Sequence, residues 1–324
     1  MMLPVLFVVV PSYNEQSVLP IVSNLLLTKL LDLKKRSIIS SKSRILFIDD
    51  GSTDNTWKII KELSRTNEHF IGISLSRNRG HQSALLAGLM EALDKGCDIT
   101  ISIDCDGQDD INAFDEMIEK YKSGCDVVYG VRNDRSTDNF LKKFTAECFY
   151  RLLGFLGAKI IFNHADYRLL SSRFLEEFAN YKEVNLFLRG LIPLVGFKSA
   201  TVFYKRKKRI AGEGHYTLSK MLTLAIDGIT SLSSRPLKLV TTVGLFASFV
   251  GFFGMIFGLI YNSFEGGIVS LVSFFFGVQL VCVGVLGEYI GKIYMEVKQR
   301  PRYIISERTE NIASKITQRK TKRR

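Results

Sequence analysis

The stretch Ile99–Asp110 reads ITISIDCDGQDD. Its first five residues are uncharged and β-favouring, and its last seven hold four aspartates. A short apolar run closed by turn residues reads as a buried strand that delivers its carboxylates to a loop. Similar runs recur at Leu6–Val10, Ile45–Asp49, Phe70–Leu75 and Val127–Val131. Helical patterns lie between them, at about Val18–Leu33, Thr56–Ser64, Ser83–Ala92 and Phe114–Lys122. Alternation of this kind predicts an α/β domain with a mainly parallel sheet covered on both faces. Polar residues gather just after the strands, at Ser12–Glu15, Asp49–Asp54, Arg77–Gly80 and Asp104–Asp110. Those are the carboxyl ends, where open α/β sheets bind ligands.

The later chain changes character. Leu239–Tyr261 and Ile268–Gly287 carry no charge, and each approaches the roughly 20 residues that span a bilayer core. Arg235 and Lys238 precede the first run, while Lys292, Lys298, Arg300 and Arg302 follow the second. The positive-inside rule puts both outer flanks in the cytoplasm. The expected organisation is a cytoplasmic domain over 1–235, two transmembrane helices within 236–291 (about 239–261 and 268–290), and a basic cytoplasmic tail over 292–324. Amphipathic segments with basic and aromatic residues, about 137–156 and 216–234, are candidates for helices lying in the membrane interface.

Charge and cysteines narrow the classes further. The net charge is +12 over 324 residues. Lys292–Arg324 holds eleven Lys/Arg and three Asp/Glu, so +8 of it sits directly after the second apolar run. That placement fits an anionic leaflet, and no nucleic-acid-binding motif accompanies it. The five cysteines form no CxxC pair, so neither a disulfide framework nor a zinc site is expected. Met1–Val10 has no basic n-region and is cut by Pro11, which argues a first strand rather than a signal peptide.

Three stretches carry chemistry. Asp104 and Asp106, two apart at a strand end, can face one divalent cation; Mg²⁺ takes one or two carboxylates and leaves other positions to phosphate and water. Asp49 and Asp50, in FIDDGSTDNT (Phe47–Thr56), end another strand, with Thr53 or Asp54 able to cap the next helix. VVVPSYNE (Val8–Glu15) adds Pro11, Tyr13 and Glu15, an aromatic ring and an acid able to frame a base and ribose. Cys105, between two carboxylates, points away from them if the strand alternation continues, which predicts packing. Glu288 and Lys292 lie at helical spacing, which predicts interfacial pairing.

In this order and spacing, these stretches together with SLSRNRGHQSALLAGL (Ser74–Leu89) resemble the inverting GT-A glycosyltransferases. GVRNDRSTDNFLKKFTAECFYRL (Gly130–Leu152), ADYRLLSSRF (Ala165–Phe174), NLFLRGL (Asn185–Leu191), RIAGEGHY (Arg209–Tyr216) and VLGEYIGKIYMEVKQRPRYII (Val285–Ile305) narrow the likeness to polyprenyl-phosphate glycosyltransferases. Within these the chain is most similar to bactoprenol glucosyltransferases of O-antigen glucosylation, and more distantly to dolichol-phosphate-mannose synthases.

The resemblance implies inverting transfer of one sugar, glucose by likeness, from a UDP-sugar to polyprenyl (undecaprenyl) phosphate at the inner membrane. It assigns Pro11, Tyr13, Glu15, Ile48, Asp50, Asp104, Cys105 and Arg132 to the nucleotide-sugar. Asp106 and Gln108 would bind Mg²⁺ or Mn²⁺. Arg132, Arg168, Arg189, Arg206 and His215 would face the acceptor phosphate, His215 standing where many relatives have Lys. Asp166, beside Asp104 in the catalytic assignment, is open to three roles: base, acceptor orienter, or partner of Arg168. A homo-oligomer such as a tetramer is also implied. Two other readings differ in class. A processive polysaccharide synthase typically carries a QxxRW motif, absent here because the single tryptophan is Trp57. A non-catalytic scaffold or flippase component would keep its role without Asp106.

Overall fold

The computed structural model describes residues 3–132, 164–206, 235–261 and 265–309. The segments 137–156 and 216–234, His215 and the tail beyond Thr309 lie outside them. The described chain falls into two units: a sheet domain, to which 301–309 also belongs, and a helical unit over 235–261 and 265–300.

In the sheet domain the order is β1 (Leu6–Ser12), α1 (Leu19–Lys35), β2 (Arg44–Asp49), α2 (Thr56–Thr66), β3 (Phe70–Leu75), α3 (His81–Asp94), β4 (Ile99–Ser102), α4 (Ala113–Lys122) and β5 (Val127–Arg132). Then come β6 (His164–Ser171), α5 (Ser172–Phe178), α6 (Leu188–Leu194), β7 (Ser199–Tyr204) and, after the helical unit, β8 (Ile305–Arg308). The eight strands lie side by side as β7-β5-β6-β4-β1-β2-β3-β8. β1–β2, β1–β4, β2–β3 and β5–β7 pair in parallel; β6 runs antiparallel between β4 and β5, and β8 is antiparallel to β3.

All five strands expected from the apolar runs form. β1 and β2 are apolar along almost their whole length because helices cover both faces. α3 lies hard against them: a Cβ at Gly88 would come within 2.5 Å of both Val9 and Ile48. That contact fixes the axis of the helix whose first residue is His81. α1 packs Leu19, Val22, Leu26, Leu30 and Leu33 into the core at helical spacing.

The sheet is wider than the sequence reading anticipated. β6 carries Asp166 and Arg168 among its eight residues, β7 shows an exposed face, and β8 is four residues long. β8 is bound to the helices beneath it as well as to β3. Glu307 accepts the Trp57 indole N–H at 2.6 Å, and Thr309 Oγ1 accepts the Gly72 N–H at 3.0 Å. Arg308 grips the buried Glu91 of α3 with both ends of its guanidinium, at 2.9–3.1 Å.

The helical unit consists of α7 (Arg235–Tyr261) and α8 (Glu265–Lys298). Within α8, Phe274–Lys298 is long and apolar enough to cross a membrane; in α7 the apolar stretch Pro236–Gly251 is shorter.

Candidate active site

The carboxyl ends of β1, β2 and β4 carry the predicted acids. The loops after β1 and β2 are stitched together by their own polar side chains. Asn14, at φ 55°, donates its N–H to Ser52 Oγ at 3.0 Å and accepts the Thr53 N–H at 2.9 Å. Gln16 accepts the Asn55 N–H at 3.1 Å, and the Glu15 N–H bonds Thr56 Oγ1 at 2.9 Å. Asp54 accepts the N–H groups of both Thr56 and Gln16, so it serves the start of α2 as expected and also ties in the β1 loop. Tyr13 is exposed beside this junction. Pro11 and Ile48 face each other across the β1–β2 ladder. Ile48 is wholly buried, so only its backbone can meet a ligand.

The doubled carboxylate divides its work. Asp49 accepts the Ser52 N–H and the Ser74 hydroxyl and thereby closes its turn. Asp50 accepts the backbone N–H groups of Arg79 at 2.8 Å and Gly80 at 2.9 Å. Burial raises its pKa, against the pull of those two N–H groups. Asp50 therefore holds the loop after β3, an architectural duty its sequence position did not reveal. Each of its oxygens still has a lone pair for a ligand donor.

That loop ends at Gly80, whose φ of 85° suits glycine, and hands over to His81 at the head of α3. His81 Nε2 lies 3.6 Å from Asp104 Oδ1 and 3.5 Å from Asp166 Oδ2. Burial works against its charge, but the two carboxylates outweigh it and its pKa is raised. Asp166 also pairs with Arg168 and accepts Arg189 through both oxygens, at 3.2 and 3.0 Å. Burial opposes its ionisation, yet His81, Arg168 and Arg189 together hold its carboxyl well below the usual range.

Arg168 is 1% exposed. It pairs with Asp166, and a buried guanidinium needs its counter-ion in place. Arg189 is 38% exposed. Gln82 accepts the Leu188 N–H at 3.0 Å, which fixes the start of α6 and so the root of Arg189.

On the other flank, Asp106 accepts the N–H of Gln108 at 3.0 Å and turns the acidic loop. Gln108 offers its amide oxygen to the Arg206 guanidinium, so a cation using that oxygen would compete with Arg206. Asp109 is buried, with its pKa pushed up to about 6, chiefly by desolvation. It accepts the Tyr204 hydroxyl at 2.5 Å, and that hydroxyl accepts Arg132 Nε at 3.2 Å. Arg132 and Tyr204 are register partners in β5 and β7, so this chain of bonds aims Arg132 from the strand ends. Cys105 packs in the core, its thiol pushed up to about 12 by burial. Its side chain offers a nucleotide nothing.

Asp104, Asp106 and Gln108 supply only hard oxygen donors, which fit Mg²⁺ or Mn²⁺ rather than a softer metal. Among the described residues no group of three or more His, Cys, Asp or Glu forms a metal cage. Such a site fits a cation completed by phosphate oxygens and water. His81, Asp109 and Tyr204 were not assigned from the sequence. Asp109 lies in the acidic stretch after β4, but its bond to Tyr204 joins residues far apart in sequence.

A mostly parallel sheet with acids at its strand ends is the arrangement of a GT-A glycosyltransferase domain. The chain belongs to Glycosyl transferase family 2, whose profile matches residues 7–178. It is 47% identical over 308 residues to the uncharacterized glycosyltransferase YkoT of Bacillus subtilis strain 168, covering 93% of this chain and 91% of that one. It is 39% identical over 308 residues to the SfII prophage-derived bactoprenol glucosyl transferase of Shigella flexneri, covering 92% and 96%. Among solved structures, glucosyl-3-phosphoglycerate synthase from Mycobacterium tuberculosis superposes with a TM-score of 0.46 at 16% identity, covering 72% of this chain and 80% of that one.

Proposed function

We propose that this glycosyltransferase moves one hexose, glucose by likeness to its bactoprenol glucosyl transferase relatives, from UDP to polyprenyl phosphate with inversion. The observation that carries the reading is the convergence on Asp166 of Arg168, Arg189 and His81, beside the strand-end acids. In the proposed step an acceptor phosphate oxygen attacks the anomeric carbon while the bond to the UDP oxygen breaks. The acceptor is already anionic and needs little deprotonation, so positioning and charge stabilisation dominate.

This chemistry narrows the roles left open for Asp166. A general base works best with a pKa near the working pH, and the cations around Asp166 hold it far below that. Asp166 fits better as the orienter of Arg189, a guanidinium suited to an acceptor phosphate. Arg132, aimed by Tyr204 and Asp109, suits the donor diphosphate or the acceptor, as does the exposed Arg206. Pro11, Tyr13, Glu15 and Asp50 line the side where a uridine would lie. Asp106, with Asp104 and Gln108, would hold Mg²⁺ or Mn²⁺, which when bound offsets charge on the departing UDP.

The order of elements supports a reading with membrane attachment. α8 has the length and apolarity of a spanning helix. The chain leaves the sheet domain before α7 and rejoins the sheet as β8. If α8 crosses a bilayer, that return requires a second crossing, and α7 is the segment available for it. The reading is a hairpin in the plasma membrane with both termini cytoplasmic. The same likeness suggests an assembly of several copies, which cross-linking in membranes measures.

The test is direct. Purified protein with Mg²⁺, UDP-[¹⁴C]glucose and undecaprenyl phosphate should yield a labelled lipid carrying one sugar. Asp106→Asn should lower that yield on the order of 100-fold while leaving the fold intact. A panel of other nucleotide-sugars tests the donor, and no labelled lipid with any of them refutes the reading.

A further inference from the structure

Asp104 follows β4, and Asp166 lies within the neighbouring antiparallel strand β6. β4 and β6 pair Ile101 with Leu169 and Ser102 with Arg168. Carried two residues on, that register sets Asp104 opposite Asp166. The spine behind them is rigid, with the Ser102 hydroxyl donating to the Asp166 carbonyl at 2.6 Å. Like charges directly opposite each other on adjacent strands repel. The sheet alone would therefore push the two side chains apart.

The side chain found between them comes from neither strand. His81 reaches both carboxylates from the head of α3, at 3.6 and 3.5 Å. Its position is fixed from three directions. Asp50 binds the backbone of the two residues before it, Arg79 and Gly80. Gln82, the residue after it, is tied to α6. α3 itself rests on β1 and β2 through Gly88. Arg168 and Arg189 also face Asp166; among the described residues the ion contact to Asp104 is made by His81.

We propose, on the basis of the transfer reaction above, that His81 is a positioning residue whose imidazole bridges Asp104 and Asp166 and sets the spacing between the donor side and the acceptor side of the site. Asp50 holds the loop that carries His81, so the bridge is braced from the side of the strand-end acids.

His81→Ala and His81→Lys in the full-length, detergent-solubilised protein test this. Loss of a bridge that aligns reacting groups should lower kcat of His81→Ala about 100-fold, with the KM for UDP-sugar within about twofold of wild type. UDP affinity should stay at the wild-type value, which also reports a folded nucleotide pocket. His81→Lys restores a cation between the carboxylates and should recover most of the lost rate. The proposal is overturned if His81→Ala turns over within about threefold of wild type, if the loss lies in KM instead of kcat, or if Lys is no better than Ala. Wild type making no glycolipid would refute the functional reading instead. The variants are then compared by slow hydrolysis of the donor to free sugar and UDP, where an unchanged rate in His81→Ala overturns the bridge.

Discussion

Asp166 and Arg168 show how two charges can sit in one buried strand. Each is nearly inaccessible, and each is tolerated because the other is there. Asp166→Asn removes the charge that Arg168, Arg189 and His81 share. It should cost about 3 kcal/mol of stability, because it leaves a buried guanidinium without its counter-ion, and it should also abolish transfer. Calorimetry and the glycolipid assay measure the two effects, and an Asp166→Asn protein as stable as wild type would contradict this account of Arg168. The acids at 104, 106 and 50 were legible because they end strands. His81, Asp109 and Tyr204 were not, because their partners lie far away in sequence: Tyr204 meets Asp109 across 95 residues. Their roles arise only once β5, β6 and β7 are side by side.

Among the elements, the first five strands could be read because strands covered on both faces are continuous apolar runs. β6 escaped notice because its ion pair interrupts such a run, and β7 and β8 because they are short sheet edges with exposed positions. The link between α1 and α4 is also electrostatic. Asp115 of α4 receives the nearly buried Lys29 and also Arg36. Burial disfavours its charge, but those two cations lower its pKa. A carboxylate depressed in the folded state stabilises above its unfolded pKa, and that stability fades as pH falls through the folded value. Acid should thus loosen α1 from α4, and Asp115→Asn should remove that part of the acid sensitivity while lowering stability at neutral pH by about 2 kcal/mol. Urea titrations at pH 7 and at about pH 2 measure both. The turn after β2 gives a second case. Gly51 has φ 67°, and a Cβ there would come within 2.5 Å of the Arg77 backbone. Gly51→Ala should displace the loop leading to His81 and reduce turnover more than the added methyl alone would explain; a crystal structure of the variant would show the shift.

At the level of the whole molecule, the two-unit division separates a sheet domain from a pair of apolar helices, with the sheet completed by residues that follow those helices. The apolar runs were visible in the sequence by length and lack of charge alone. Their relation to the sheet was not, since four residues of β8 carry no periodic signal. Ending the chain at Ile304 should expose the edge of β3 and strip Glu91 and Trp57 of their partners. The truncated protein should unfold at lower temperature and aggregate more readily, as light scattering during a thermal ramp would record.

The position of β8 also sets an order of events during synthesis. A ribosome makes this strand only after it has made both apolar helices. Until then the domain, though nearly all of it has been translated, carries an open edge and an α3 not yet gripped by Arg308. The final closure of the sheet thus waits for the helices to emerge, and a nascent chain stalled before residue 305 is left with an unsealed flank that a protease or chaperone can recognise.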